Sequence, residues 1–244
     1  MHPHAETLWR GPRWTLAILL AVLGMLGPFS IDTYLPAFSG IASSLNASPV
    51  HMQQTLSAYL FGFAFMNLFH GALADSFGRR PVILWGLMAF TLASLGCALA
   101  QNVTQLIVFR AMQGLSCGAG VVVSRAIVRD IFPPTQAQKV MSQITIFFGL
   151  APAIAPIMGG WLFVSLGWHS IFWLLTAIGL ALWAVNFKML PESLHASQRQ
   201  PFSIPHLMRG YWQLCTDPRF LLLALASGIP FNGMFLYVLS APAF

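Results

Sequence analysis

Long apolar runs joined by short connections dominate this chain and leave it few ways to fold. Mainly apolar stretches fall near 14–38, 50–75, 81–100, 104–128, 138–165, 168–189 and 219–241. Each reaches the ~20 residues that a helix needs to cross a bilayer. Only the polar stretch 190–218 separates two of them by more than a short connection. Charged residues make up 7% of the sequence and apolar ones 57%, whereas soluble domains are roughly a quarter charged. The expected product is an all-α membrane protein: a six-helix bundle over 1–190, a central loop over 191–218, and a seventh helix within 219–244.

The basic residues orient these runs. Arg10 and Arg13, Arg79 and Arg80, and Arg125, Arg129 and Lys139 all fall on one side of the membrane. Lys188, Arg199, Arg209 and Arg219, around the central loop, join them, so every basic residue except Arg110 lies on that side. The positive-inside rule makes it cytoplasmic, with the N-terminus inside and the seventh helix ending outside. A net charge of +6 is carried singly between apolar runs, which makes no phosphate-tracking patch and implies no nucleic-acid partner. A cleaved signal peptide is the competing reading of residues 1–38, but the run is long for an h-region and is interrupted by Pro28 and Asp32. In the loop, "SIPHLMRGYWQLCTD" opens with Pro205, a helix-starting residue. It then repeats Leu207, Met208, Tyr211, Trp212, Leu214 and Cys215 at helical spacing. An interfacial helix on the inner leaflet and a plain linker both fit.

Two charges stand well inside runs, Asp32 in the first and Arg110 in the fourth. Asp32 lies ~27 Å past the inner start of its run and Arg110 ~9 Å from the outer start of its own. Both therefore fall at similar depth in the outer part of the membrane. Two readings stay open. In one, Asp32 snorkels to the interface while backbone carbonyls or Gln113 hold Arg110. In the other, both face a water-filled interior and mark a substrate or proton path, as intramembrane ionisable residues usually do. Asp32 is then the group that exchanges protons, because an arginine stays charged, and Arg110 tunes it.

Other patterns point to a moving bundle. "AMQGLSCGAGVVV" places Gly114, Gly118 and Gly120 where small residues allow close helix contact. "GLAPAIAPIMGGWL" sets Pro152 and Pro156 four apart, then Gly159 and Gly160. Each proline removes a backbone hydrogen bond, so this run is expected to kink or bend. Cys97, Cys117 and Cys215 have no metal or redox spacing. His51, His70 and His169 are isolated and read as solvated polar groups. No nucleophile–base or metal-spaced set appears, so no enzyme, cofactor or metal site is expected.

Residues 71–81 read "GALADSFGRRP", which resembles the signature of the major facilitator superfamily between its second and third helices. Gly71, Asp75, Gly78, Arg79 and Arg80 match it. "RAMQGLSCGAG" looks like that family's fourth-helix motif, in which Arg110 would be the proton-transfer arginine. Residues 149–160 look like the fifth-helix motif of drug antiporters, departing from it at Ala151 and Ala155, where glycine is favoured. "IDTYLPAF" and "QQTLSAYLFGFA" resemble the bicyclomycin- and chloramphenicol-resistance group of drug–proton antiporters. Asp32 would be its membrane-embedded acid, acting alone because Gly24 stands where some relatives carry a second. The resemblance implies two inverted three-helix repeats and a cytoplasmic gate in which Asp75, Arg79 and Asp130 clasp a helix of a second half. It also implies a multi-pass protein of the bacterial inner membrane whose partners are the bilayer, a small-molecule substrate and protons.

A partial echo closes the chain. Gly27 recurs as Gly233, Phe29 as Phe235, and Pro36, Ala37 and Phe38 as Pro242, Ala243 and Phe244, while Val238 replaces Asp32. The expectation is the first half of an exporter plus one helix, inactive without the missing half. An uptake symporter for a sugar or metabolite is the alternative on the same fold. A seven-helix receptor or sensor is the alternative from another class, disfavoured because the N-terminus would be cytoplasmic.

Overall fold

Pro36 decides how the first span is built. It has no N–H to offer the carbonyl of Asp32 four residues earlier, and in the computed structural model, which describes Trp9 and residues 12–240, the helix breaks there. Helix α1 (Arg13–Asp32) gives way to a 3-10 turn, Leu35–Ala37, and a short helix α2 (Phe38–Ser44). The first apolar helix thus reaches Ser44 rather than ending near residue 38. Helices α3 (Pro49–Phe77), α4 (Arg79–Ala98), α5 (Val103–Ile131), α6 (Pro134–Leu166) and α7 (His169–Met189) follow, then α8 (Ile204–Thr216) and α9 (Pro218–Ser240). No strand occurs among the described residues. Arg10 and the terminal echo Pro242, Ala243 and Phe244 lie outside the described residues.

Local signals start and stop these helices. The Ser48 hydroxyl accepts from the His51 N–H ahead of α3, and the Asn102 side chain accepts from the Gln105 N–H ahead of α5; each satisfies an amide that the first turn leaves unpaired. Between α3 and α4 the chain turns at Gly78, whose φ of 105° lies in the region that side chains avoid. Helix α6 runs without interruption through Pro152 and Pro156.

Six helices among the described residues are long and apolar enough to cross a membrane. Their pairing is interleaved: α3 packs on α5, and α6 packs on α1. If α1, α3, α4 and α5, α6, α7 are taken as successive three-helix units, the second helix of each lies on the first helix of the other. Helix α5 is the centre, touching α1, α3 and α4, while α7 packs on α4. With no hydrophobic force between helices in lipid, such contacts rest on close backbone approach. A Cβ at Gly114 would collide with the carbonyl of Tyr59 on α3. The chain divides into two compact units, Met1–Gln200 and Pro201–Phe244. The second contains α8, whose Met208, Trp212 and Leu214 are exposed, and α9.

Candidate functional site

Arg110 sits on α5 with its side chain wholly buried. Its Nη1 donates to Gln113 Oε1 at 3.0 Å and to the Ser30 carbonyl of α1 at 3.4 Å. The guanidinium carbon lies 4.6 Å from the Tyr34 ring centre and 4.3 Å from that of Tyr59. Each desolvated cation–π contact contributes about 2 kcal/mol, and each hydrogen bond to a charged group about 1.5–3 kcal/mol. Together they match the several kcal/mol that burying an ion costs. Its Nε and Nη2 still have no partner.

A polar network fixes this cage. Gln113 Nε2 donates to Ser94 Oγ at 2.7 Å, and the Cys97 thiol donates to Gln113 Oε1. Tyr59 OH donates to the Gly27 carbonyl at 3.0 Å and shares hydrogens with Ser30 Oγ and Cys117 Sγ. Tyr34 OH pairs with Thr55 Oγ1 at 2.7 Å. Tyr34 and Tyr59 went unremarked in the sequence, where nothing marks a tyrosine in an apolar run as a neighbour of a distant arginine.

Asp32 is buried too, yet it makes no hydrogen bond or ion pair with any described residue. The expected partnership with Arg110 is not formed, although Ser30 and Tyr34 place both groups at one level. Helix geometry gives the reason. Ser30 and Tyr34, four apart, share the side of the first span that meets Arg110, whereas Asp32 is about 200° round the helix from Ser30. What lies against its break is α6. Ala151, Ala155 and Gly159 form the buried stripe of that helix. A Cβ at Gly159 would collide with the Thr33 carbonyl, and Gly160 faces Pro36 Cβ at 3.8 Å. Pro152, Pro156 and Gly160 follow the stripe one residue round, half-buried. Ala151 and Ala155, the departures from the glycine pattern, are wholly buried on the same stripe as Gly159.

The second cluster closes the other end of α5. Arg79 donates through Nη1 to Asp75 Oδ1 at 2.5 Å and through Nε to Asp130 Oδ2 at 3.2 Å. Ser193 Oγ also donates to Asp130, at 2.9 Å. The Glu192 carboxylate accepts from the backbone N–H of Arg79 at 2.9 Å and of Arg80 at 3.3 Å, capping the N-terminus of α4 where an anion is favoured. Gly78 makes room for it, since a Cβ there would meet that carboxylate. Arg80 donates to the Phe187 carbonyl at 2.6 Å and lies over the Phe187 ring. Gly71 stands apart from this cluster, against Val122 of α5. Glu192 and Ser193 were missed; with six acidic residues in the chain, an acid just past the sixth run was the available signal. His70, read from the sequence as solvated, is 3% exposed, because it falls on the face of α3 that meets α5.

The site thus combines a broken first helix packed on a proline–glycine helix, a buried acid and a separate basic turn. The family model described as Major Facilitator Superfamily matches residues 11–244. This chain belongs to the major facilitator superfamily. It is 38% identical over 221 residues to a bicyclomycin resistance protein homolog of Haemophilus influenzae, covering 91% of this chain and 56% of that one. It is 36% identical over 175 residues to the multidrug resistance protein MdtL of Escherichia coli, covering 72% of this chain and 45% of that one. The solved structure of the human organic anion transporter MFSD10 (TETRAN) superposes with a TM-score of 0.62 at 22% identity, over 81% of this chain and 53% of that one; that likeness is one of fold. The chain spans about half the length of the curated relatives it matches. It is a multi-pass, all-α membrane protein of this transporter family.

Proposed function

We propose that the α1–α7 bundle serves as one half of a proton-coupled exporter of drugs or other small amphipathic molecules. It would sit in a bacterial inner membrane with its N-terminus in the cytoplasm. The observation that carries this reading is Asp32, a buried acid with no cation beside it, at a break in α1 seated under the proline-bearing α6. A buried carboxyl group is stable only when protonated or paired. Asp32 therefore holds a proton in one state and yields it when a cationic or hydrogen-bonding substrate takes its place. Arg110, already held by Gln113, Ser30 and two rings, keeps the α1–α5 contact polar without claiming the acid. The relatives named for bicyclomycin and multidrug resistance support export as the direction.

The turn cluster acts as the gate. Arg79 ties Asp75 on α3 to Asp130 on α5, while the Asp75 side chain stays 50% exposed and can meet a helix of a second half. Transport is tested by reconstitution into vesicles with an imposed pH gradient. The 244-residue chain alone is expected to accumulate no substrate, and the same bundle joined to a second six-span half is expected to accumulate it. Accumulation by the chain alone would remove the need for a second half.

A further inference from the structure

Asp217 alone separates α8 from α9. Pro218 follows it, and a proline disfavours helical backbone at the residue before; Asp217 accordingly takes φ −83° and ψ 111°. The helical path is broken there, so α8 does not continue the axis of α9. The Asp217 carboxylate accepts the Arg219 N–H at 2.9 Å, which engages its charge at the N-terminus of α9, where an anion is favoured. Residues 219–241 form an apolar run of spanning length. The corner therefore stands where α9 enters the bilayer, and α8 leaves it across the membrane surface.

One face of α8 suits that surface. At ~100° per residue, Leu214, Leu207, Tyr211, Cys215, Met208 and Trp212 follow one another within an arc of about 160°. Arg209, Gln213 and His206 take the opposite side, and the helix carries no acidic residue. None of its residues is buried, and Trp212 is 72% exposed. Arg209 stands about 60° beyond Trp212, at the margin of the apolar arc. Tryptophan and tyrosine favour the headgroup level, and an arginine there lays its stem on apolar surface while its charge reaches a phosphate. An apolar face with aromatic residues opposite a basic polar face is the pattern of a helix lying in the interface plane.

We infer that α8 docks lengthwise on the bilayer beside α9, with its apolar face at the acyl-chain boundary and Arg209 against an anionic lipid phosphate. This contact stands apart from Asp32 and from the turn cluster and does not depend on proton coupling. Cys215 lies near the middle of the apolar face and is exposed, while Cys97 and Cys117 are buried. A methanethiosulfonate spin label added to the 244-residue chain therefore reports on α8. In nanodiscs of phosphatidylcholine and phosphatidylglycerol, collisions of the nitroxide with oxygen, which concentrates in lipid, are compared with those of a neutral nickel chelate, which stays in water. The oxygen-to-nickel ratio at Cys215 is expected to be several-fold higher than at the polar face, read from Gln213→Cys combined with Cys215→Ser. Met208→Asp with Trp212→Asp should lower the Cys215 ratio to the polar-face value. Omitting phosphatidylglycerol should lower the ratio at Cys215, and Arg209→Gln should remove that dependence. Equal nickel access at both positions would make the segment a solvated linker, and shielding of Cys215 from both colliders would make its cover protein; either overturns the docking. A ratio indifferent to phosphatidylglycerol would overturn the pairing of Arg209 with anionic lipid.

Discussion

At the α3–α4 turn Arg79 is shared by two carboxylates, whereas Arg110, ~30 Å along α5 from Asp130, has none and lies between two tyrosine rings. The first arginine pairs with acids one turn away and across the helix end, at the edge of the bundle. The second is enclosed by α1 and α3, with its charge offset by π faces, one carbonyl and Gln113. The difference separates a clamp from a cage. A clamp holds two helices through charges that salt and competing partners can loosen. A cage holds a charge inside the bundle without a carboxylate, with Nε and Nη2 still unpartnered, and leaves the acid on the neighbouring helix unpaired.

The largest blow to that contrast comes from α5 itself. Gly114→Val should prevent the Tyr59 approach that builds the cage, costing about 3 kcal/mol or more, and is read as loss of a monodisperse, cooperatively melting protein in detergent. Arg79→Gln strips the clamp alone, leaving Asp75 without its cation and Asp130 with only the Ser193 hydroxyl. A stability loss of about 2 kcal/mol is expected, with faster hydrogen exchange at residues 75–80 and none around Arg110. Glu192→Gln keeps the shape of the cap but removes its charge. It should cost about 1 kcal/mol, and the deficit should shrink at high salt; a loss as large as that of Arg79→Gln would make the cap, not the ion pair, the heart of the clamp. Arg80→Lys is the mildest change, about 0.5 kcal/mol from the carbonyl bond and the ring contact, visible as a small shift in melting temperature.

The spans and the turn motif were legible because each depends on residues close in sequence. Asp75 and Arg79 are one turn apart, and a helix-ending Gly78 between them announces the turn. The break after Asp32 was written in Pro36, yet that proline also fits the end of a span, and only the continued helix to Ser44 distinguishes the two. Depth followed from counting residues, so Asp32 and Arg110 were placed at one level. Azimuth did not, because which side of α1 meets α5 depends on contacts such as Gly120 with Leu23 and Ser30 with Arg110, between residues far apart in the chain. The same ignorance hid Tyr34, Tyr59 and His70. Ala151 and Ala155 looked like lapses from a glycine pattern, though both methyl groups are buried on the stripe that carries Gly159.

The central claim is that Asp32, not Arg110, exchanges the proton. Proton release on substrate addition, followed with a pH-sensitive dye in lightly buffered detergent solution of the full transporter carrying this bundle, tests it directly. Release is expected for the native protein and for Asp32→Glu, and is expected to vanish in Asp32→Asn while substrate still binds. Undiminished release from Asp32→Asn would contradict the account.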